Sequence, residues 1–326
     1  MRIGIIGAGH IAGKMAMTLN QMHTASAYAV ASRDLQRARE FAGQWNIEKA
    51  YGSYEEMLDD PQVELVYVAT PHSLHYEHAR MCLLKGKPVL CEKTFTANAA
   101  QTKALIDLAR ERNVFLTEAI WTRYLPFSKT IVDLVNDGVI GTPRMLTAGL
   151  GYPIADKERI RDLNLCGGSL YDLGVYPINF ARMVFGCDVA RVTSTCTKGE
   201  TGVDLQNSIT LSYADGKMAV MQTTVLCAND RQGIISGDKG YLIVDNINNP
   251  QEAVLYDADH TEIARYHCPE QISGFEYQVE ACIDAIRNNR IETPYMPHQE
   301  TLRVMELLDS LRKEWGIKFP ADNNPL

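Results

Sequence analysis

Over the first 120 residues, short apolar runs alternate with stretches of helical period. Residues 2–6, 27–31, 63–69, 88–91 and 114–117 are strand-length and rich in Val, Ile, Leu and Tyr. Between them, Ile11, Met15, Thr18 and Met22 fall on one helical stripe. Thr96 stands where a cap is needed for the next clear helix, in which Ala104, Leu105, Leu108 and Ala109 share a face. Arg110 and Arg112 close that helix, where cations suit the dipole. Continuous apolar strands alternating with helices predict an α/β domain whose parallel sheet is covered on both faces.

Beyond residue 120 the pattern changes. Helices are predicted near 127–137 and 169–185, and then strands dominate. Ile209, Leu211 and Tyr213 alternate with polar residues, Asp215-Gly216 supplies a hairpin turn, and Met218 and Val220 continue on the return strand. Residues 240–244 and 253–256 extend the series, which predicts an α+β domain with a large, mostly antiparallel open sheet. Ser273 and Glu276 form a capping box for a helix carrying Val279, Ile283 and Ile286. A last helix over 299–315 presents Val304, Leu308, Leu311 and Trp315 on one face and stops at Gly316. The expected organisation is a dinucleotide-binding domain over 1–120 and a substrate-binding and oligomerisation domain over 121–326, with the last helix able to pack back on the first.

Composition narrows the partners. With 326 residues, 46% apolar and 22% charged, the chain is ordinary globular material of about two domains. A net charge of -8 and no Lys/Arg run argue against nucleic acid and anionic membrane. No apolar stretch approaches the ~20 residues of a membrane span. The opening MRIGIIGAGH is too short and glycine-broken for a signal sequence. Eight cysteines without CxxC spacing read as reduced, mostly buried thiols, so a cytoplasmic location is expected.

The chemistry begins at Gly7-Ala8-Gly9-His10-Ile11-Ala12, a GxGxxA turn directly after the first strand and opening the first helix. Gly7 makes the tight turn, Gly9 lets the backbone approach a pyrophosphate, and Ala12 allows close helix–strand packing. The second strand ends in Ser32-Arg33-Asp34. Ser32 and Arg33 suit a 2′-phosphate, which favours NADP; the competing reading has Asp34 on the ribose and NAD as cofactor. Thr70, Pro71, His72 and His75 end the third strand, Glu92 and Lys93 the fourth, and the segment with Trp121 and Arg123 follows the fifth. Ligands of an open α/β sheet bind at the carboxyl ends of its strands, so all these residues share one edge. His72, His75 and His78 invite a metal reading, but steps of three turn successive helical side chains by roughly 60° and no Cys or carboxylate joins them, so no metal is expected. In the second domain, Asp172 and Tyr176 lie four apart on one helix face. Whether they form a site, or Ser169 and Asp172 a capping box and Tyr176 a core aromatic before a kink at Pro177, stays open on spacing alone.

GAGHIA at 7–12, ATPHSLHYEHA at 69–79, CEKTF at 91–95 and GGSLYDLGVYPI at 167–178 resemble the glucose–fructose oxidoreductase, inositol dehydrogenase and rhizopine-catabolism (Gfo/Idh/MocA) family over nearly the whole chain. EAIWTRYLP at 118–126, ASRDLQRAREFA at 31–42 and Tyr176 are similar to its dimeric dihydrodiol dehydrogenase and NADP-dependent D-xylose dehydrogenase subgroup. The resemblance implies a Rossmann domain, a second domain whose open sheet forms a homodimer, a catalytic Lys93, and Tyr176 as acid/base with Asp172 beside it. Thr94 departs from the family's Glu-Lys-Pro, whose proline commonly follows a cis peptide. A cis bond before Thr costs ~3 kcal/mol more than trans, so the backbone carrying Lys93 is expected to differ.

The function so implied is hydride transfer between nicotinamide C4 and a secondary alcohol or carbonyl of a sugar, polyol or cyclic trans-diol. Tyr176 takes the hydroxyl proton and Lys93 supports it electrostatically, with the roles exchangeable. Trp121, Arg123 and Tyr152 are candidate walls of the substrate pocket. The alternatives are a non-catalytic NADP(H) sensor on the same fold and a reductase of a non-sugar carbonyl or imine.

Overall fold

A computed structural model describes residues 1–323, which divide into two compact units. The first unit is built from β1 (Arg2–Ile6), α1 (His10–Leu19), β2 (Ser26–Ala31), α2 (Leu35–Trp45), β3 (Lys49–Tyr51), α3 (Tyr54–Asp59), β4 (Leu65–Val68), α4 (His75–Leu84), β5 (Val89–Glu92), α5 (Ala99–Arg112) and β6 (Leu116–Ala119). Its strands run in the order β3-β2-β1-β4-β5-β6, every pair parallel. This is the Rossmann arrangement, with the order reversing between β1 and β4. Ile5, Ile6, Val66, Tyr67 and Val68 are fully buried, as strands covered on both faces must be.

The second unit carries α6 (Pro126–Asn136), β7 (Pro143–Gly151), α7 (Glu158–Arg161), a π-helical turn at Leu170–Gly174, α8 (Val175–Phe185), β8 (Val189–Lys198), β9 (Asp204–Tyr213), β10 (Met218–Thr224), β11 (Gly233–Gly237), β12 (Gly240–Val244), β13 (Glu252–Asp257) and β14 (Glu262–His267). They form one eight-stranded sheet, β14-β13-β12-β11-β7-β10-β9-β8, antiparallel except for the β7–β10 pair. The predicted hairpin is β9–β10, with Gly216 at φ +86 in its turn. The core face of β10, however, is Ala219, Met221 and Thr223; Met218 is exposed.

α9 (Glu276–Arg287) and α10 (His298–Trp315) follow, with a short 3₁₀ turn at Pro320–Asn323 after them. A single second domain over 121–326 is too simple, because Gln271–Glu306 groups with the first unit. The Leu116 N–H donates to the Ile291 carbonyl at 2.9 Å, and the Thr18 and Ser273 hydroxyls pair at 2.7 Å. The predicted capping box is not formed as such. Phe275 is the N-cap of α9 and makes no side-chain cap, and Gly274 at φ +89 keeps Ser273 outside the helix. The Ser273 N–H still donates to Glu276 at 3.0 Å, and its hydroxyl accepts from the Phe275 N–H at 3.2 Å. Among the described residues no helix is long and apolar enough to cross a membrane.

Local expectations are corrected in four places. α1 ends at Leu19, so Met22 lies beyond its stripe. Asn98, not Thr96, caps α5, accepting from the Gln101 N–H at 2.9 Å, while the Thr96 hydroxyl donates to the Asn98 carbonyl. Ser169 is itself helical and makes no cap, and Pro177 follows a wide turn in the first turn of α8. The Lys93–Thr94 peptide is cis, so threonine holds the conformation that the missing proline was expected to require.

Candidate active site

The glycine turn has the shape a pyrophosphate needs. Gly7 sits at φ +104, and a Cβ there would meet the Ala69 carbonyl oxygen at 2.8 Å. Gly9 caps α1 without a side-chain bond, and a Cβ on it would meet nothing within 4 Å. The first N–H groups of α1 therefore have no capping side chain over them, which suits an anion at the positive end of the helix. Ala12 is fully buried against the sheet, whereas His10 is exposed and Ile11 half-buried at the rim.

At the end of β2 stand Ser32, Arg33 and Asp34. The Asp34 carboxylate caps α2, accepting from the Gln36 and Arg37 N–H groups at 2.9 and 3.3 Å. The Ser32 hydroxyl accepts from the Asp34 N–H at 3.4 Å. Arg33 acts on the half-buried hydroxyl of Tyr54, whose pKa burial raises and Arg33 and Arg37 oppose. The Tyr54 and His78 rings meet edge-on at 4.8 Å, and His78 Nδ1 lies 3.0 Å from the Thr70 hydroxyl. Arg37 was missed in the sequence. Its guanidinium donates to the Ala8 carbonyl at 3.1 Å, which brings a second cation to the glycine turn.

The ends of β4 and β5 form the middle of the edge. Pro71 is exposed, and Thr70, His72 and Lys93 are half-buried. His75 is not at the surface as a cofactor contact would require. It is fully buried, with Nδ1 2.9 Å from the Thr94 carbonyl and Nε2 2.7 Å from the Thr70 carbonyl. It thus braces the two loops that end β4 and β5. Two carbonyl partners favour the doubly protonated ring, but burial outweighs them and pulls its pKa down to about 4. Glu92 is buried too, hydrogen-bonded by the Tyr67 hydroxyl; burial raises it to about 7 against the pull of Tyr67, Lys93 and Lys14. Trp121 is only 5% exposed, and its ring lies 4.8 Å from the Lys14 ammonium and 4.9 Å from the Phe275 ring. It therefore does not present the open apolar wall expected of it.

A buried carboxyl with a raised pKa favours the fold in its protonated form. Its contribution is complete below the ordinary glutamate value and is lost as pH rises through about 7. Glu92→Gln is thus expected to be the more stable protein at pH 8, by up to about 3 kcal/mol. The gain should shrink toward zero near pH 4.5. Thermal midpoints of both proteins across this range check it; a gain independent of pH would show that the carboxylate charge is not its source.

In the second unit, Asp172 and Tyr176 are 7% and 8% exposed. Asp172 lies on the π-helical turn and is ion-paired to Arg159 of α7 at 2.5 Å, a partner invisible in the sequence. Arg123 belongs to this unit and donates to Asn179 of α8 at 2.8 Å, about one turn past Tyr176. Tyr152 accepts from Arg231 at 3.4 Å and carries that guanidinium over its ring. Among the described residues, no group of three or more His, Cys, Asp or Glu is placed to hold a metal.

A Rossmann sheet, a bare glycine turn at its switch point and a lysine on the same edge define a nicotinamide-dinucleotide oxidoreductase. Residues 1–120 match the oxidoreductase family with an NAD-binding Rossmann fold, and residues 128–243 match the GFO/IDH/MocA C-terminal domain. The chain belongs to the Gfo/Idh/MocA oxidoreductase family, as the motifs implied, and is an NAD(P)-dependent oxidoreductase. It is similar to trans-1,2-dihydrobenzene-1,2-diol dehydrogenase of Mus musculus, 35% identical over 99% of both chains, and to that of Homo sapiens, 33% identical over 99% of both. Among solved structures, KijD10, a 3-ketoreductase from Actinomadura kijaniata in complex with NADP and TDP-benzene, superposes with a TM-score of 0.87 at 26% identity over 96% of this chain and 97% of that one. The aldose-aldose oxidoreductase of Caulobacter crescentus shares the fold, with a TM-score of 0.87 at 22% identity over 97% of both chains.

Proposed function

We propose that the chain is an NADP-preferring dehydrogenase acting on a secondary CH–OH of a sugar, polyol or cyclic trans-diol. The observation that carries this is Lys93, half-buried at the carboxyl end of β5, in a chain alike from end to end to diol dehydrogenases. The glycine turn and the N–H groups of α1 hold the pyrophosphate, and Ser32 and Arg33, with Arg37 beside them, hold a 2′-phosphate. The commitment of Asp34 to capping α2 supports NADP over NAD. When bound, the nicotinamide accepts or donates the hydride. The chain's own groups move the proton: Tyr176 takes it from the substrate hydroxyl, Lys93 stabilises the phenolate, and Asp172, fixed by Arg159, stands one turn before Tyr176.

The partner is a second copy across the eight-stranded sheet, where Met145 and Met218 pair in register and stand exposed. None of the eight cysteines is disulfide-bonded, and four of them are buried, which suits the cytoplasm. The test is a screen of NADP+ and NAD+ reduction over aldoses, inositols and cyclic trans-diols. Turnover faster with NADP+ is expected. NADPH binding without any turnover would favour a sensor, and turnover confined to imines or non-sugar carbonyls would replace the substrate class. The same preparation should run in solution at twice the 36.4 kDa chain mass; a monomer overturns the dimer.

A further inference from the structure

The turn that carries Asp172 is held from outside by an acid on another strand. Gly168, at φ +116, precedes it, and a Cβ there would meet Asp204 Oδ1 at 2.4 Å. Asp204 Oδ2 accepts from the Leu170 N–H at 2.8 Å and from the Asn207 amide at 2.8 Å. The Asn207 side-chain Oδ1 accepts from the Thr223 hydroxyl at 3.0 Å, which in turn accepts from the Ser169 hydroxyl at 2.9 Å. Every donor in this chain points toward the one carboxylate. Asp204, Asn207, Thr223 and Ser169 are all buried, Asp204 being 3% exposed.

A buried carboxylate bonded to neutral donors is a costly way to satisfy two N–H groups, since an amide oxygen would serve. What the charge adds is grip. A charge-assisted bond is roughly twice as strong as a neutral one, and an anion is favoured at the start of a helix. The turn has no cap of its own, because Ser169 bonds to Thr223 instead. The grip therefore acts two residues before Asp172 and six before Tyr176.

We propose that Asp204 is a positioning residue for the reaction: reaching from β9, it clamps the start of the Leu170–Gly174 turn and so sets Asp172 and Tyr176. The proposal rests on Tyr176 being the proton-transfer group. Burial raises the Asp204 carboxyl to about 6, so the clamp passes from neutral to anionic across mildly acidic pH. The titratable groups around it are few. β8 presents the Cys196 thiol, itself raised by burial, and Lys198, the register partner of Asp204, whose ammonium donates to the Trp315 carbonyl. The turn carries Asp172, already paired to Arg159, and β10 presents the neutral Thr223.

The test is the near-isosteric Asp204→Asn, assayed by NADP+ reduction with D-xylose and with trans-cyclohexane-1,2-diol between pH 5 and 8. At pH 8, kcat should fall about tenfold with NADPH affinity unchanged. The wild-type to variant ratio should shrink toward one at pH 5, with its midpoint near 6. A ratio that is flat with pH, or no loss, overturns the proposal. Should Asp204→Asn fail to fold, Thr223→Val removes one link of the relay with little change of shape. Its kcat should fall at pH 8 and not at pH 5, and a flat ratio there is equally fatal. Tyr176→Phe, run alongside, separates the two claims. If it keeps normal turnover, or if wild type turns over neither probe, the functional reading has failed; if it is dead while Asp204→Asn is normal, only the clamp has.

Discussion

Tyr176→Phe is expected to lower kcat by about 10²- to 10⁴-fold, the range over which a positioned acid/base acts. NADPH affinity should change by no more than about twofold, because the residue lies outside the dinucleotide-binding unit. The ring volume is kept and Tyr176 is buried on α8, so the packing, and with it the fold, should survive. Lys93→Met should cost a comparable factor by a different route. On the proposed mechanism, loss of the ammonium removes the charge that favours the phenolate, and the pH at which turnover rises should move upward. The two effects should not add, since both variants disable one proton transfer. Steady-state kcat, with NADPH binding titrated separately, decides the matter. Near-normal turnover in both variants would remove these residues from the mechanism.

The parts legible in the sequence were those fixed by neighbouring residues. The glycine turn, the Asp215-Gly216 hairpin and the Gly316 stop each depend on a few adjacent positions, and each is present. Strand β3 escaped because three half-buried residues carry no period. β8 escaped because it is a sheet edge whose Thr, Ser and Arg residues are mostly wet on both faces. Thr96 and Asn98 are both good caps by type, and only the entry angle of the chain chose between them. Arg37, Arg159 and Asp204 were hidden for one reason: each acts on a residue at least thirteen positions away. A second arginine one turn into α2 was the one signal that could have exposed Arg37. His75 shows the opposite failure. Its position on the right edge is correct, but a fully buried ring with both nitrogens at carbonyl oxygens braces the loops beneath that edge.

Arg33→Ala is expected to weaken NADPH roughly 10- to 100-fold, the size of one or two hydrogen bonds to a charged group, while changing NADH far less. The 2′-phosphate is the only difference between the two cofactors, so a selective loss reports a phosphate contact. Arg37→Ala should also lower NADPH affinity selectively, though with a smaller ratio. Its guanidinium is shared with the Ala8 carbonyl, so its removal also loosens the glycine turn that both cofactors use. Asp34 supplies the control. Its carboxylate caps α2, so Asp34→Ala should lower stability by about 0.5–2 kcal/mol and leave the NADPH/NADH ratio unmoved. Had Asp34 instead held the ribose hydroxyls, its removal would weaken NADH most. Equal losses of NADPH and NADH in Arg33→Ala, or a shifted ratio in Asp34→Ala, would reverse the cofactor assignment. Because a phosphate contact is screened by salt, the Arg33 effect should also shrink as ionic strength rises, whereas the loss of a cap should not.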